Sequence, residues 1–177
     1  LFAFTLVEIH VILPSYVNNF LDMGGNVYAS SEIYYSFGAI FSGILILRIF
    51  KKVNIVFSVI LLMLLVALGF YAMSVYKILW IFFLGSFIIG ITNAGVRILR
   101  TTYIFNHVPN NLIGRTNSVF NSLNIMVRLI LIGVFGLPFF HFNDNIRYAY
   151  LVGVFLMLIS VVIFIIWYKR ILLTKKD

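Results

Sequence analysis

Cysteine is absent from this chain, which excludes disulfides, thiolate metal sites and cysteine nucleophiles. Charge is scarce as well: 10% of the residues, with five acids, against roughly 25% in soluble domains. Proline occurs three times, so long stretches run free of helix breakers. No His-Glu-x-x-His helix, phosphate-binding glycine loop with lysine, or Gly-x-Ser-x-Gly turn is present. His10, His107 and His141 fall at different depths along the chain's apolar runs. No catalytic residue, metal or cofactor is therefore expected, and the chain does not read as an enzyme. What is present is apolar: 63% hydrophobic residues, including nineteen Phe and ten Tyr. A soluble protein of 177 residues could not hide that much apolar surface. Lipid is the expected partner for the remainder. The net charge of +8 would point to nucleic acid in a soluble protein. Here the basic residues sit in the gaps between apolar runs, which makes them a topology signal, and no nucleic acid is expected.

A membrane-spanning helix needs about 20 mostly apolar residues, because the hydrocarbon core is ~30 Å thick and a helix rises ~1.5 Å per residue. Six segments meet that length: 1–21, 27–47, 54–74, 78–99, 116–140 and 148–168. They are continuous rather than alternating, which argues against barrel strands. The expectation is an all-α membrane protein, one transmembrane domain over 1–177. One set of gaps carries Arg48, Lys51, Lys52, Arg97, Arg100, Arg115, Lys169, Arg170, Lys175 and Lys176; the other carries Lys77 and Arg147, near Asp22 and Asp144. That bias places both termini in the cytoplasm. Because the chain opens on Leu1 and its first apolar run lacks a basic flank and a cleavage site, that run does not read as a signal peptide. The chain is expected to be part of a longer protein, with an N-terminal half upstream.

Polarity is uneven among the six segments. The first holds Glu8 and His10, the second Glu32 with several Ser and Tyr, and the third is almost wholly apolar. The fourth holds Asn93 and Arg97, the fifth three Asn and Arg128, and the sixth is again apolar. Polar, polar, apolar, repeated, is a three-plus-three pattern of the kind that builds many transporters, with the apolar third helix of each triplet expected against lipid.

Two stretches carry a family resemblance. Gly43-Ile-Leu45-Ile-Leu-Arg48-Ile-Phe-Lys51-Lys52 is similar to the cytoplasmic signature of the major facilitator superfamily, with Leu47 in place of its Asp and Phe50 in place of its second Gly. Val108-Pro109-Asn-Asn-Leu-Ile-Gly114-Arg115 resembles the Pro…Gly-Arg stretch before helix eleven of bacterial efflux-type members. A plain turn, with Pro109 ending one segment and Gly114 easing the next, explains that loop equally well. The whole chain resembles the C-terminal six-helix half of that superfamily. The resemblance implies alternating-access secondary transport, with the first, second, fourth and fifth segments lining a cavity. It also implies a bacterial inner-membrane location, a small-molecule substrate of unknown identity, possible efflux of an amphipathic compound, and pairing with the upstream half or a second copy.

Candidate cavity residues emerge from the pattern. Asn117, Asn121, Asn124 and Arg128 are spaced four, three and four apart and share one helical face. A guanidinium near the midplane costs ~2.5–3.5 kcal/mol on the gentler insertion scale, so function is the default reading for Arg128. Interhelical clips at ~0.6 kcal/mol each are the bland reading for the Asn residues. Glu8 lies at similar depth and is the expected partner of Arg128 and the candidate proton-coupling carboxyl. Pro14 is expected to kink the first segment at His10, itself read as an interhelical hydrogen bonder. Glu32 is expected near the outer mouth, greeting a cationic substrate or simply solvated. Asn93 joins the cavity candidates, whereas Arg97 reads as snorkelling to headgroups. Ala39 and Gly43, and Ser86, Gly90 and Ala94, form small-residue rows suited to close packing. The rival reading of the whole chain is a non-transporting bundle, an assembly or receptor-like protein, in which the polar stripe only holds helices together.

Overall fold

A computed structural model describes residues 1–49 and 54–174, and these are helical almost throughout, with no strand among them. Phe50, Lys51 and Lys52 of the signature-like loop, and the basic residues Lys175 and Lys176, lie outside the described residues. Six long helical segments succeed one another: α1 (2–20), α2 (Gly25–Ile49), α3 (Ile55–Val75), α4 (Leu79–His107), α5 (Asn110–Phe135) and α6 (Arg147–Thr174). Among the described residues four helices are long and apolar enough to cross a membrane: Ile55–Val75, Leu79–His107, Asn110–Phe135 and the stretch Asp144–Tyr168. The protein is thus an all-helical membrane protein with at least these four candidate spans.

The first segment is not a plain α-helix. It widens into π turns over Glu8–Ile12 and Tyr16–Phe20, on either side of a short α turn at Leu13–Ser15. Leu13 N–H reaches back to the Glu8 carbonyl, one residue further than an α-helical bond. The cause is Pro14, which has no N–H to give and whose ring would press on the His10 carbonyl in a regular helix. The expected break at Pro14 takes this widened form. After α1 the chain turns at Asp22, a non-glycine residue at φ 56, a conformation Asp tolerates better than most.

Local chemistry sets the other boundaries. The Asn54 side chain accepts from the Val56 N–H at 2.9 Å, capping α3, while its amide donates to the Tyr168 hydroxyl at 2.6 Å and ties that end to α6. Only Val108 and Pro109 separate α4 from α5, so Asn110 to Arg115 are helical rather than loop. The expected tight turn at Gly114 does not form; these polar residues simply extend α5 beyond its apolar stretch. At the far end α5 stops at Phe135, because Leu137 precedes Pro138 and takes an extended conformation. A one-turn helix (Pro138–His141) and a 3-10 turn (Asn143–Ile146) lead into α6.

The helices pair α2 with α4, α3 with α4 and with α6, and α1 with α5. The core is an aromatic cluster: Phe4, Tyr16, Phe70, Phe82, Phe135 and Tyr150, linked by ring contacts of 4.9–5.8 Å and nearly sealed from solvent. Offset and edge-on rings of this kind add ~0.5–1.5 kcal/mol per pair beyond burial. Where α2 crosses α4 the backbones almost touch. A Cβ on Gly90 would lie 2.1 Å from the Tyr35 carbonyl oxygen, and one on Gly38 would lie 2.2 Å from that of Phe87. Gly90 belongs to one of the small-residue rows, but its counterpart is Gly38; a Cβ on Gly43 would meet nothing within 4 Å.

The apolar third helix is not simply a lipid-facing stave. One face of α3 is buried from Ser58 to Ser74, packed on α4 and α6, while Phe57, Leu61 and Leu68 on the other face are exposed. By contrast α5 buries only Leu131 and Phe135. Hydropathy reports what surroundings a helix tolerates, and apolar residues pack on apolar neighbours as readily as on lipid.

Candidate functional site

The widened turn of α1 places Glu8 against a cavity of about 230 Å³ between α1, α2 and α4. Glu8 and Leu13 line it from α1, Ser31, Glu32 and Tyr35 from α2, and Ser86 from α4. Two of the sequence-derived candidates, Glu8 and Glu32, therefore meet at one cavity although 24 positions apart (32 − 8). Glu8 is 2% exposed and accepts a 3.0 Å hydrogen bond from the Tyr150 hydroxyl of α6. Glu32 is exposed and accepts from the Tyr28 hydroxyl at 2.9 Å, one turn back on its own helix. Asn93 stands behind the cavity wall, donating to the Tyr35 hydroxyl at 2.7 Å and so fixing that ring. Its Oδ1 and the Ser42 hydroxyl are buried and have no hydrogen-bond partner among the described residues. Ser31 and Ser86 satisfy themselves on the backbone carbonyls of Tyr28 and Phe82.

Glu8 does not pair with Arg128. Among the described residues the only ion pair is Lys77 with Asp22, at the turn-rich end of the bundle. The reason is register. Phe4 of α1 packs edge-on against Phe135 of α5. Glu8 lies four residues beyond that contact and Arg128 seven before it, on helices that run the same way, so the two sit on the order of 15 Å apart along the axes. Arg128 makes no hydrogen bond or ion pair among the described residues. Its level is midway between Phe135 and Phe120, the ring over which the Arg100 guanidinium lies at 4.2 Å.

Asn117, Asn124 and Arg128 are half-buried and Asn121 is exposed. Their face continues at the same spacing into Leu131 and Phe135, the two buried residues of α5. The stripe thus lies on the side of α5 that faces the bundle. None of the three Asn side chains hydrogen-bonds another helix among the described residues, so the clip role is not seen within this chain. Arg97 is exposed.

The histidines stand apart from one another. His10 is exposed and makes no hydrogen bond among the described residues, contrary to its expected interhelical role. His141 takes part in a 3.1 Å bond with the Ser15 hydroxyl, and His107 stacks on Tyr103. Among the described residues no group of three or more His, Asp or Glu side chains could hold a metal. A second hollow of about 450 Å³ is bordered by Met63, Val96, Tyr103, Phe120 and Tyr168, with Arg100 its one charged residue. Its walls are mostly apolar and bring no pair of chemical groups together.

Sequence reasoning missed Tyr150, Tyr35's link to Asn93, and the serines of the cavity wall. Tyr150 lies in an apolar segment 142 positions from its carboxylate partner, where a tyrosine reads as an interfacial anchor. Nothing local marks it. Tyr16 behaves likewise, donating at 2.7 Å to the Met73 carbonyl.

No protein-family model matches the chain, and comparison with curated proteins and with solved structures finds no match.

Proposed function

We propose that this chain is one half of a secondary active transporter that works by alternating access, built like the C-terminal half of a major facilitator protein. The observation that carries the reading is the polar cavity: a buried carboxylate, a second carboxylate and four hydroxyl side chains gathered inside an otherwise apolar bundle. Ionisable groups at that depth are costly to hold and mark substrate or ion pathways by default. The π turn at the site fits the same reading, since irregular backbone within a membrane is tolerated where it lines a cavity.

The helix pairing supports a three-plus-three repeat of six spans. A shift by three helices turns the α2–α4 pair into α5–α1, and leaves α3–α6 unchanged. The same shift turns α3–α4 into α6–α1, the pair joined by the Tyr150–Glu8 hydrogen bond. An inverted-repeat transporter half has this property. The cavity is lined by the first, second and fourth helices, three of the four that the family resemblance implies; the fifth lends it no residue. The barely covered α5 offers its exposed outer face to the other half or to a second copy, while its Asn117–Arg128 stripe lies on the side toward the bundle. On this reading both termini are cytoplasmic, the location is a bacterial inner membrane, and the cargo is a small molecule moved outward.

Flux measurements in proteoliposomes made with the whole protein test the proposal. Arg128→Ala and Glu8→Gln should each depress counterflow by on the order of tenfold or more. Wild-type rates in both variants would remove these residues from the mechanism. Cysteine introduced at Asn121 or Asn124 should react with membrane-impermeant thiol reagents, because the chain has no other cysteine. Protection from both sides of the membrane favours the rival, non-transporting bundle.

A further inference from the structure

We infer that the cavity between α1, α2 and α4 takes a small organic cation, with its ammonium group held between Glu8 and Glu32. The inference deepens the transport reading and rests on it only for what becomes of the bound cation. Two carboxylates from different helices line the cavity and no Lys, Arg or His does. Glu8 is more than nine-tenths buried. One of its oxygens is engaged by Tyr150, and among the described residues the other has no hydrogen-bond partner. A carboxylate with half its acceptors unused, buried at a cavity wall, is a poor neighbour for lipid and a good one for a cation.

The remaining walls say which kind of cation. Ile9, Leu13 and Ile89 give apolar surface beside the hydroxyls of Ser31, Ser36 and Ser86, and Tyr35 adds an aromatic ring. An ammonium against a tyrosine face gains ~0.5–2 kcal/mol. A bare metal ion would need its oxygen ligands to converge at about 2.3–2.6 Å. Among the described residues no group of three or more His, Asp or Glu side chains gathers to do so, and this cavity of about 230 Å³ brings two carboxylates. An ammonium carried on an apolar body suits both the charge and the walls.

The structure also supplies a way in. Glu32 and Ser36 line the internal cavity and, at the same time, a hollow of about 320 Å³ on the outward face of α2, bordered by Ile33, Phe37 and Ile40. Glu32, held by the Tyr28 hydroxyl, stands between surface and interior. A cation arriving along α2 meets Glu32 first and Glu8 second.

The test is calorimetric titration of the whole protein in lipid nanodiscs. The probes are choline, benzyltrimethylammonium, and the uncharged choline isostere in which a tert-butyl group replaces trimethylammonium. Both cations should bind saturably, with the isostere weaker by on the order of tenfold. Glu8→Gln and Glu32→Gln should each weaken the cations by a similar factor and leave the isostere unchanged. In Glu8→Gln the new amide oxygen can still accept from Tyr150, and position 32 is exposed, so at least one variant reports on charge rather than folding. Equal binding of cation and isostere, no saturable binding of either cation, or affinities untouched in both variants overturns the inference. Carboxylate-dependent binding without counterflow refutes the transport reading and leaves the cation site standing. Counterflow of an anionic or neutral solute, indifferent to Glu8→Gln, refutes the cation site and leaves transport standing.

Discussion

Replacing Gly90 by alanine places a methyl group 2.1 Å from the Tyr35 carbonyl oxygen, where ordinary contact begins near 3.4 Å. The obstacle is backbone on both sides, so no side chain can swing away. Relief requires α2 and α4 to part by on the order of 1 Å, and a gap of 0.5–1 Å already forfeits roughly a quarter to a half of each contact's dispersion energy. Membrane helices associate largely through such packing. Overpacking of this kind costs about 1–3 kcal/mol, against which alanine's better helix propensity returns at most about 1. Gly90→Ala and Gly38→Ala are therefore each expected to destabilise the protein by about 1–2 kcal/mol. The pair should be clearly sub-additive, because one separation of the helices relieves both clashes. Gly43→Ala is the control, with open space at its Cβ position, and should be stabilising by up to about 1 kcal/mol. Thermal or denaturant unfolding in detergent, tracked by the fluorescence of Trp80 and Trp167, measures all four. Gly90→Ala as stable as Gly43→Ala would refute the close crossing. So would full additivity of the double variant.

Other outcomes rest on the same set of contacts. Tyr150→Phe keeps the ring packing on Phe70 and Tyr16 but removes the donor to Glu8; a loss of about 1 kcal/mol in the same unfolding assay is expected, with reduced cation affinity if the hydroxyl positions the carboxylate. Gly153→Ala would put a Cβ 2.5 Å from the Phe4 ring, and Gly85→Ala one 2.4 Å from the Met73 sulfur. The buried ring has nowhere to go, whereas methionine adapts, so Gly153→Ala should lower the unfolding midpoint more. The Lys77–Asp22 pair is exposed, and Asp22 holds the lysine above its ordinary value of 10.5. A group raised on folding contributes below its unfolded value and loses that contribution as pH climbs through the folded one. Any stability difference between wild type and Lys77→Met should therefore be present at neutral pH, fade above about pH 10.5, and shrink in high salt.

Much of the helix layout was legible because long apolar runs leave few alternatives. The third segment, expected at 54–74, is observed as Ile55–Val75, and the second, expected at 27–47, as Gly25–Ile49. The errors lie where polarity or proline decides. Polar residues from Asn110 onward read as loop yet continue the helix, because a helix need not stop where its apolar stretch does. Pro138, inside the expected fifth segment, ends it instead. The candidate site was half legible. Glu8 and Glu32 were visible as rare acids in apolar company, and their meeting at one cavity depended on packing. The supposed Glu8–Arg128 pair failed because depth was judged from segment ends, and the register of α1 against α5 is set by Phe4 and Phe135. Tyr150's role depends on a contact across most of the chain, which no local pattern encodes.

The wide turns of α1 also fix how that helix can change. A π turn accommodates one residue more than an α turn, so a deletion anywhere within Glu8–Ile12 would let the backbone close into regular geometry. Closing it would leave the residues on either side on their present faces, because the wide turn already absorbs the extra residue. Phe4 and Val7, now buried, would stay with the aromatic cluster alongside Tyr16. A shortened first helix would thus be straighter and present the same side to its neighbours, and what it would lose is the wide turn that sets Glu8 against the cavity.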